Sequence, residues 1–166
     1  LRVKNEAQNI EAVLSSIVDL SDEIVVVDNG STDGTPELIA QFFKDHYAAK
    51  KLKLFNYPFA VAKCGLENYR TDEFSVHSLS YYYNWALSKC SHEYIFKWDG
   101  DMVVQKSQYR ALKEFVRRVL SEGNGAVGVP LGLSLFLTSD DFGYTSDLHT
   151  EAEPRLFPKS HSVYFM

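Results

Sequence analysis

Apolar residues along this chain recur with two different periods, and the switching between them sets the order of elements. Ile10, Val13, Leu14 and Ile17 fall at i, i+3, i+4 and i+7, one stripe of a helix. Ser21-Asp22 breaks the stripe, and Ile24-Val25-Val26-Val27 follows as an unbroken β-branched run, the pattern of a strand covered on both faces. The run stops at Asp28, which places that carboxylate at the strand's carboxyl end, and Asn29-Gly30-Ser31-Thr32-Asp33-Gly34 reads as a tight, donor-rich loop. Thr35-Pro36 then reads as an N-cap with proline at the first helical position. The helix so begun turns Leu38, Ile39, Phe42 and Phe43 inward and Glu37, Gln41, Lys44 and Asp45 to water. Lys51 to Phe55 alternates and predicts a third, half-exposed strand.

From Asn56 to Phe74 the period is lost, and a stretch this long without one inside a domain is often functional. Ser75 opens a helix with Leu79, Tyr82, Tyr83, Ala86 and Leu87 at helical spacing; the aromatic stripe is read as core packing. Tyr94 to Trp98 is a strand that ends, like the earlier one, in acid: Asp99-Gly100-Asp101. Ser107 caps a further helix with Leu112, Phe115, Val116, Val119 and Leu120 inward, stopped by Gly123-Asn124-Gly125. Ala126 to Val129, Leu131 to Leu137, Arg155 to Phe157 and Val163 to Met166 read as strands, whereas the polar stretch from Thr138 to Glu153 fits no element. Strands alternating with helices imply right-handed crossovers and a mostly parallel sheet, with antiparallel strands added late: the α/β class.

At 166 residues, 45% of them hydrophobic, the chain has material for one core and is short for two, so a single domain is expected. A formal charge of −5 gives no electrostatic reason to expect nucleic acid as a partner. Cys64 and Cys90 have neither a CxxC partner nor a Cys/His cluster beside them, which reads as free thiols in a reducing compartment. No apolar run reaches the length of a membrane span, and a cytoplasmic location, or one peripheral at the inner face of a membrane, is expected. Leu1-Arg2-Val3 reads as the tail of a strand that starts upstream.

In an open α/β sheet, ligands bind beyond the carboxyl ends of the strands. If the two strands ending in acid share one parallel sheet, Asp28, Asp99 and Asp101 converge on one rim. Two aspartates around a glycine can hold a hard divalent cation, Mn2+ or Mg2+, through oxygen, and such a cation neutralises a leaving diphosphate. An ionised carboxylate only accepts hydrogen bonds, so Asp28 suits the imino N–H of uracil or guanine. Asp-Gly is also a common hairpin signal, and the triplet alone reads more readily as a turn. A calcium loop fits poorly, because Gly30 and Thr32 stand where Asp or Asn is needed, and the Gly-Lys-Ser/Thr of a Walker loop is absent. Both acidic turns at strand ends, with the right run of elements between them, favour a site.

Lys4-Asn5-Glu6, the Val27 to Thr35 stretch, Asn84 on the following helix and Asp99-Gly100-Asp101 together resemble the family 2 glycosyltransferases, over roughly residues 1 to 104. Later, Glu153-Pro154-Arg155-Leu156-Phe157 resembles a strand found in many members. The resemblance implies a GT-A fold, a Rossmann-like three-layer sandwich, with residues 1–104 as the donor half and 105–166 as the start of the acceptor half. It implies transfer of a sugar from a nucleotide-diphosphate sugar, UDP- or GDP-linked, to a carbohydrate or glycoconjugate hydroxyl, with inversion. The donor would meet Val3, Lys4, Asn5, Glu6, Asp28, Asn29, Gly30, Asp99, Gly100 and Asp101. The metal would meet Asp101 and Asp99. Lys63 and Arg70 are further diphosphate or base contacts, weighed against solvated loop charges. Glu151 and Glu153 are weak candidates for the general base, which is expected beyond Met166. A non-catalytic nucleotide- or protein-binding module is the alternative. A Rossmann methyltransferase is weaker still, since Lys4-Asn5-Glu6-Ala7 is not a glycine-rich turn.

Overall fold

The structure, a computed structural model, describes residues 1–122, 127–128, 134–137, 143–146, 154–159 and 165. Its strands are β1 (Arg2–Val3), β2 (Ile24–Asp28), β3 (Leu52–Asn56), β4 (Tyr94–Phe96), β5 (Val127–Gly128), β6 (Ser134–Leu137), β7 (Gly143–Ser146) and β8 (Pro154–Pro158). The helices are α1 (Ile10–Ile17), α2 (Thr35–Lys44), α3 (Leu66–Tyr69), α4 (Leu79–Ser88) and α5 (Tyr109–Glu122).

The β-branched run behaves as its composition demands, since every residue of β2 is buried. Its side chains alternate between two cores, as the pleat requires. Ile24 and Val26 join Ile10, Val13, Leu14, Ile39 and Phe43 of α1 and α2 on one face. Val25 and Val27 meet Tyr57, Tyr82 and Ala86 on the other, where α4 packs. Helices thus cover both faces of the sheet, which makes three layers.

Strands β1, β2 and β3 are parallel, with Arg2 opposite Val27, Val3 opposite Asp28, and β2 in register with β3 from Ile24–Leu52 to Asp28–Asn56. A parallel bridge between Arg2 and Asp99 carries the sheet across to the segment after β4. Beyond it, β8 runs antiparallel to both β4 and β5. The spatial order is therefore β3-β2-β1-β4-β8-β5 with β8 alone reversed, and this α/β arrangement is the mostly parallel sheet that the alternation of elements predicts. A separate antiparallel pair, β6 with β7, lies within the later segment.

Several boundaries differ from the pattern-based reading. Helix α2 starts at Thr35 itself, capped by Gly34 in a left-handed conformation (φ 91°) rather than by a threonine side chain. Helix α4 starts at Leu79, four residues after Ser75, because Ser78 supplies the cap by accepting a bond from the Tyr81 N–H. Ser107 lies inside a 3-10 turn instead of capping α5. Leu120 is exposed although the stripe predicts it inward, while Val119 is buried on Leu156. Strand β7 falls within the polar stretch that fits no element by pattern, since alternation over Gly143–Ser146 is too short to register. The stop at Gly123-Asn124-Gly125, most of the strand expected over Val163 to Met166, and Glu151 and Glu153 lie outside the described residues.

Candidate functional site

Two loops at the carboxyl ends of β1 and β2 are laced together by backbone donors meeting short polar side chains. The Asn5 N–H donates to the Ser31 hydroxyl (2.8 Å), the Glu6 N–H to the Thr35 hydroxyl (2.8 Å) and the Ala7 N–H to Asp33 (2.9 Å). In return the Thr32 N–H donates to the Asn5 carbonyl oxygen of the side chain (2.8 Å). Asn5 reaches it from a left-handed backbone (φ 59°), a conformation asparagine tolerates better than most residues. Asp33 also accepts from the Thr35 hydroxyl and N–H, and these bonds, the hydroxyl's first, hold its carboxyl below the usual aspartate range. The Ser, Thr and Asp residues of the loop are thus spent on shaping it.

Asp28 occupies the floor of this arrangement and is almost wholly buried. One oxygen, Oδ2, accepts from the Gly30 N–H (3.0 Å) and the Ser31 N–H (3.1 Å). The other, Oδ1, is buried with no hydrogen-bond partner among the described residues. Gly30 makes the turn possible by adopting φ 71°. Asn29 is committed elsewhere: its side-chain amide donates to the Phe59 carbonyl (2.7 Å) and, more weakly, to that of Tyr57 (3.4 Å).

The second acidic turn is built differently. β4 ends at Phe96, and Asp99-Gly100-Asp101 forms a tight turn cinched by the Trp98 indole N–H on the Met102 carbonyl (2.8 Å). Asp99 is held sideways by two arginines, Arg155 of β8 at 2.8 Å and Arg2 of β1 at 3.7 Å. Arg2 in turn lies with its guanidinium 3.5 Å from the centre of the Tyr83 ring. Gly100 is buried, and a Cβ there would stand 2.8 Å from the Glu6 Cγ and 3.2 Å from Val3. Asp101, by contrast, is exposed and makes no hydrogen bond or ion pair among the described residues.

Register brings the two turns to one rim. With Val3 beside Asp28 and Arg2 beside Asp99, the two aspartates are separated by two strand spacings, roughly 10 Å. Beside Asp99 opens a cleft of about 290 Å³ lined by Arg2, Val3, Lys4, Glu6, Asn29, Lys63, Cys64, Tyr83 and Asp99; of the expected donor contacts, Asn5, Asp28, Gly30, Gly100 and Asp101 are not in its lining. Arg70 is exposed at the end of α3 and is not part of that lining. A larger cavity, about 380 Å³, is lined mostly by apolar residues including Val25, Leu87, Ile95 and Phe157, and also by Arg2 and Trp98, next to Asp99; neither Asp28 nor Asp101 lines it. In the sequence reading Arg2 and Tyr83 have no role beyond a strand end and core packing, and Arg155 is singled out only as part of the Glu153 to Phe157 stretch, without a role at the acidic turn. Their signal in the chain is weak: an arginine opening an apolar strand, and an aromatic at core spacing.

Among the described residues no group of three or more His, Cys, Asp or Glu side chains is arranged to hold a metal. Of the aspartates in the two turns, Asp101 is the one whose carboxylate is exposed and without a hydrogen bond or ion pair among the described residues, a donor of the oxygen type that Mg2+ and Mn2+ take.

Residues 2–62 match the family described as Glycosyl transferase family 2. Among curated proteins, none matches the sequence. Two solved structures share the fold. The mannosyltransferase PcManGT from Pyrobaculum calidifontis, in complex with GDP-Man and Mn2+, is 25% identical with a TM-score of 0.53, over 79% of this chain and 35% of that one. TarS from S. aureus is 17% identical with a TM-score of 0.52, over 95% of this chain and 45% of that one. The chain spans less than half the length of either. The resemblance to family 2 glycosyltransferases and the GT-A fold both stand on these likenesses.

Proposed function

We propose that this chain, a family 2 glycosyltransferase by its match and its GT-A fold, binds the donor of a metal-assisted, inverting sugar transfer. The observation that carries the reading is the orphaned Oδ1 of Asp28. A buried acceptor without a donor costs free energy, and a ligand N–H aimed at it recovers that cost. The imino N–H of uracil or guanine is such a donor, and a GDP-linked sugar is what the similar mannosyltransferase holds. Backbone at Val3 to Asn5 and at Asn29 and Gly30 would frame the base, and Lys63 would face the diphosphate from the other wall of the cleft. Glu6 and Gly100 would shape the passage between the turns.

Asp101 would hold Mn2+ or Mg2+, which when bound supplies Lewis-acid neutralisation of the leaving diphosphate. In the transfer itself, the acceptor oxygen bonds to the anomeric carbon as the carbon–oxygen bond to the diphosphate breaks. The hydroxyl proton goes to a carboxylate base, and the nucleoside diphosphate departs with the electron pair. Calorimetry with GDP and UDP in the presence of Mn2+ tests the reading. Metal-dependent binding of one of them is expected, and no binding of either would remove it. Slow donor hydrolysis or sugar transfer separates an enzyme from a module that only binds.

A further inference from the structure

We propose that Asp99 anchors an arginine clamp and is not a ligand of the cation, so that Arg155 and Arg2 are positioning residues of the acidic turn. The inference rests on the donor-site reading above and deepens it. A carboxylate has two oxygens: Oδ2 of Asp99 is taken by Arg155 at 2.8 Å, and Oδ1 faces Arg2 at 3.7 Å. Arg155 is more than nine-tenths buried, and Arg2 is pinned over Tyr83, with the Phe165 ring 5.8 Å from its guanidinium. For Asp99 to turn toward a metal, a buried guanidinium has to lose that counter-charge, which is costly in a low-dielectric setting. Two residues on, Asp101 is exposed and uncommitted among the described residues, so it reaches a cation at no such cost.

The clamp also explains how a turn so short is held. The Lys97 N–H donates to the Arg155 carbonyl (2.6 Å), so the residue that grips Asp99 by its side chain grips the end of β4 by its backbone. Asn84 of α4 exchanges two hydrogen bonds with the backbone of Phe165, at 2.9 and 2.8 Å. Together with Tyr83 this ties α4, β1, the acidic turn and β8 into one unit around a single carboxylate. A lysine at 155 keeps the charge but loses the planar fork that serves backbone-adjacent and carboxylate geometry together.

Five proteins test the proposal: the wild-type chain, Asp99→Asn, Asp101→Asn, Arg155→Gln and the double variant Asp99→Asn with Arg155→Gln, each measured for Mn2+ binding by electron paramagnetic resonance with and without GDP or UDP, and for thermal melting without ligand. Asp101→Asn is expected to weaken Mn2+ binding in the presence of nucleotide about tenfold or more, with the melting temperature unchanged. Asp99→Asn is expected to leave Mn2+ affinity within about threefold and to lower the melting temperature by roughly 4 °C or more. Arg155→Gln lowers melting similarly and, like Asp99→Asn, leaves Mn2+ affinity within about threefold, since it removes the same clamp and leaves Asp101 in place. The double variant Asp99→Asn with Arg155→Gln melts no lower than the worse single one, since both remove one interaction. The proposal is overturned if Asp99→Asn costs as much Mn2+ affinity as Asp101→Asn with melting unchanged, or if Arg155→Gln leaves melting unchanged. Failure of Asp99→Asn to fold supports the anchor, and Arg155→Gln then carries the metal comparison. If the wild-type chain binds neither nucleotide nor Mn2+, the donor reading fails by itself; unchanged melting in Asp99→Asn and Arg155→Gln would overturn the clamp as well.

Discussion

The turn after β2 and the turn after β4 both carry aspartates at a strand's carboxyl end, yet they are stabilised by opposite means. In the first the aspartate itself is held locally, its carboxylate taking the N–H groups two and three residues on, while the loop around it is closed by hydrogen bonds to residues 5–7. The second depends on partners from far away in the sequence, an arginine 56 residues later and another almost a hundred earlier. The bonds to Asp28 Oδ2 come from its own turn, and Oδ1 is left buried without a hydrogen-bond partner among the described residues. A turn held at long range exists only when the whole sheet is assembled, and its geometry is tied to β8.

The largest effect should come from breaking the first turn at its functional atom. Asp28→Ala removes a charged acceptor, and nucleotide affinity should fall roughly ten- to a hundredfold in calorimetry, for a lost interaction of about 1.5–3 kcal/mol. The metal dependence of what binding remains should persist, because that belongs to the second turn. Thr35→Val tests the lacing instead. Thr35 is fully buried, its hydroxyl donating to Asp33 and accepting from Glu6. The substitution keeps the shape and strands the Glu6 N–H, so a loss of about 1–2 kcal/mol in denaturant unfolding is expected, with nucleotide affinity lowered in step.

Glycine substitutions sharpen the contrast further. At Gly30 an added Cβ meets nothing within 4 Å, but the φ of 71° is strained for alanine. Gly30→Ala should cost about 1 kcal/mol, and Gly30→Asn should restore most of it, since asparagine tolerates the left-handed region. At Gly100 the obstacle is steric, Glu6 Cγ at 2.8 Å and Val3 Cγ1 at 3.2 Å. Gly100→Ala should cost about 1 kcal/mol or more by overpacking, and here asparagine should be worse than alanine. The two series, read by thermal melting, should therefore run in opposite order.

The same difference decided what could be read from the chain. Local chemistry was legible: the β-branched run of β2, the amphipathic stripes of α1 and α2, and a carboxylate where an apolar run stops all declare themselves within a few residues. Helix starts shifted by one to four residues because caps are choices among neighbouring residues; Ser78 accepts from the N–H three residues on and caps α4, whereas Ser75 accepts from the His77 N–H two residues on, within the preceding turn. Long-range pairings were not legible. Nothing near Asp99 says that Arg2 and Arg155 meet on it, because that contact is created by strand order, with β1 on one side of the turn and β8 on the other. Asn5 and Asn29 were legible as members of a motif but not as hydrogen-bond donors and acceptors for the loops themselves.

The smallest effect lies at the opposite end of the sheet and checks that the two turns can be perturbed without loosening the strands beneath them. Glu23, just before β2, accepts from the Ser91 hydroxyl (2.6 Å) and N–H (2.8 Å) and is paired with Lys53 of β3. Burial pushes its carboxyl up, but the hydrogen bond to Lys53 and the two bonds from Ser91 outweigh that and hold it at about 2, against an ordinary 4.5. Between those values the unfolded chain binds more protons than the folded one, so stability rises with pH across that window. The contribution is complete above pH 4.5 and drains away as pH falls toward 2, and with Lys53 partly exposed it should amount to about 1 kcal/mol. Glu23→Gln should flatten the unfolding free energy by that amount between pH 4.5 and 2 while leaving nucleotide affinity at neutral pH unchanged. A loss of affinity in that variant would mean that the amino ends of the strands, and not the turns alone, set the geometry of the cleft.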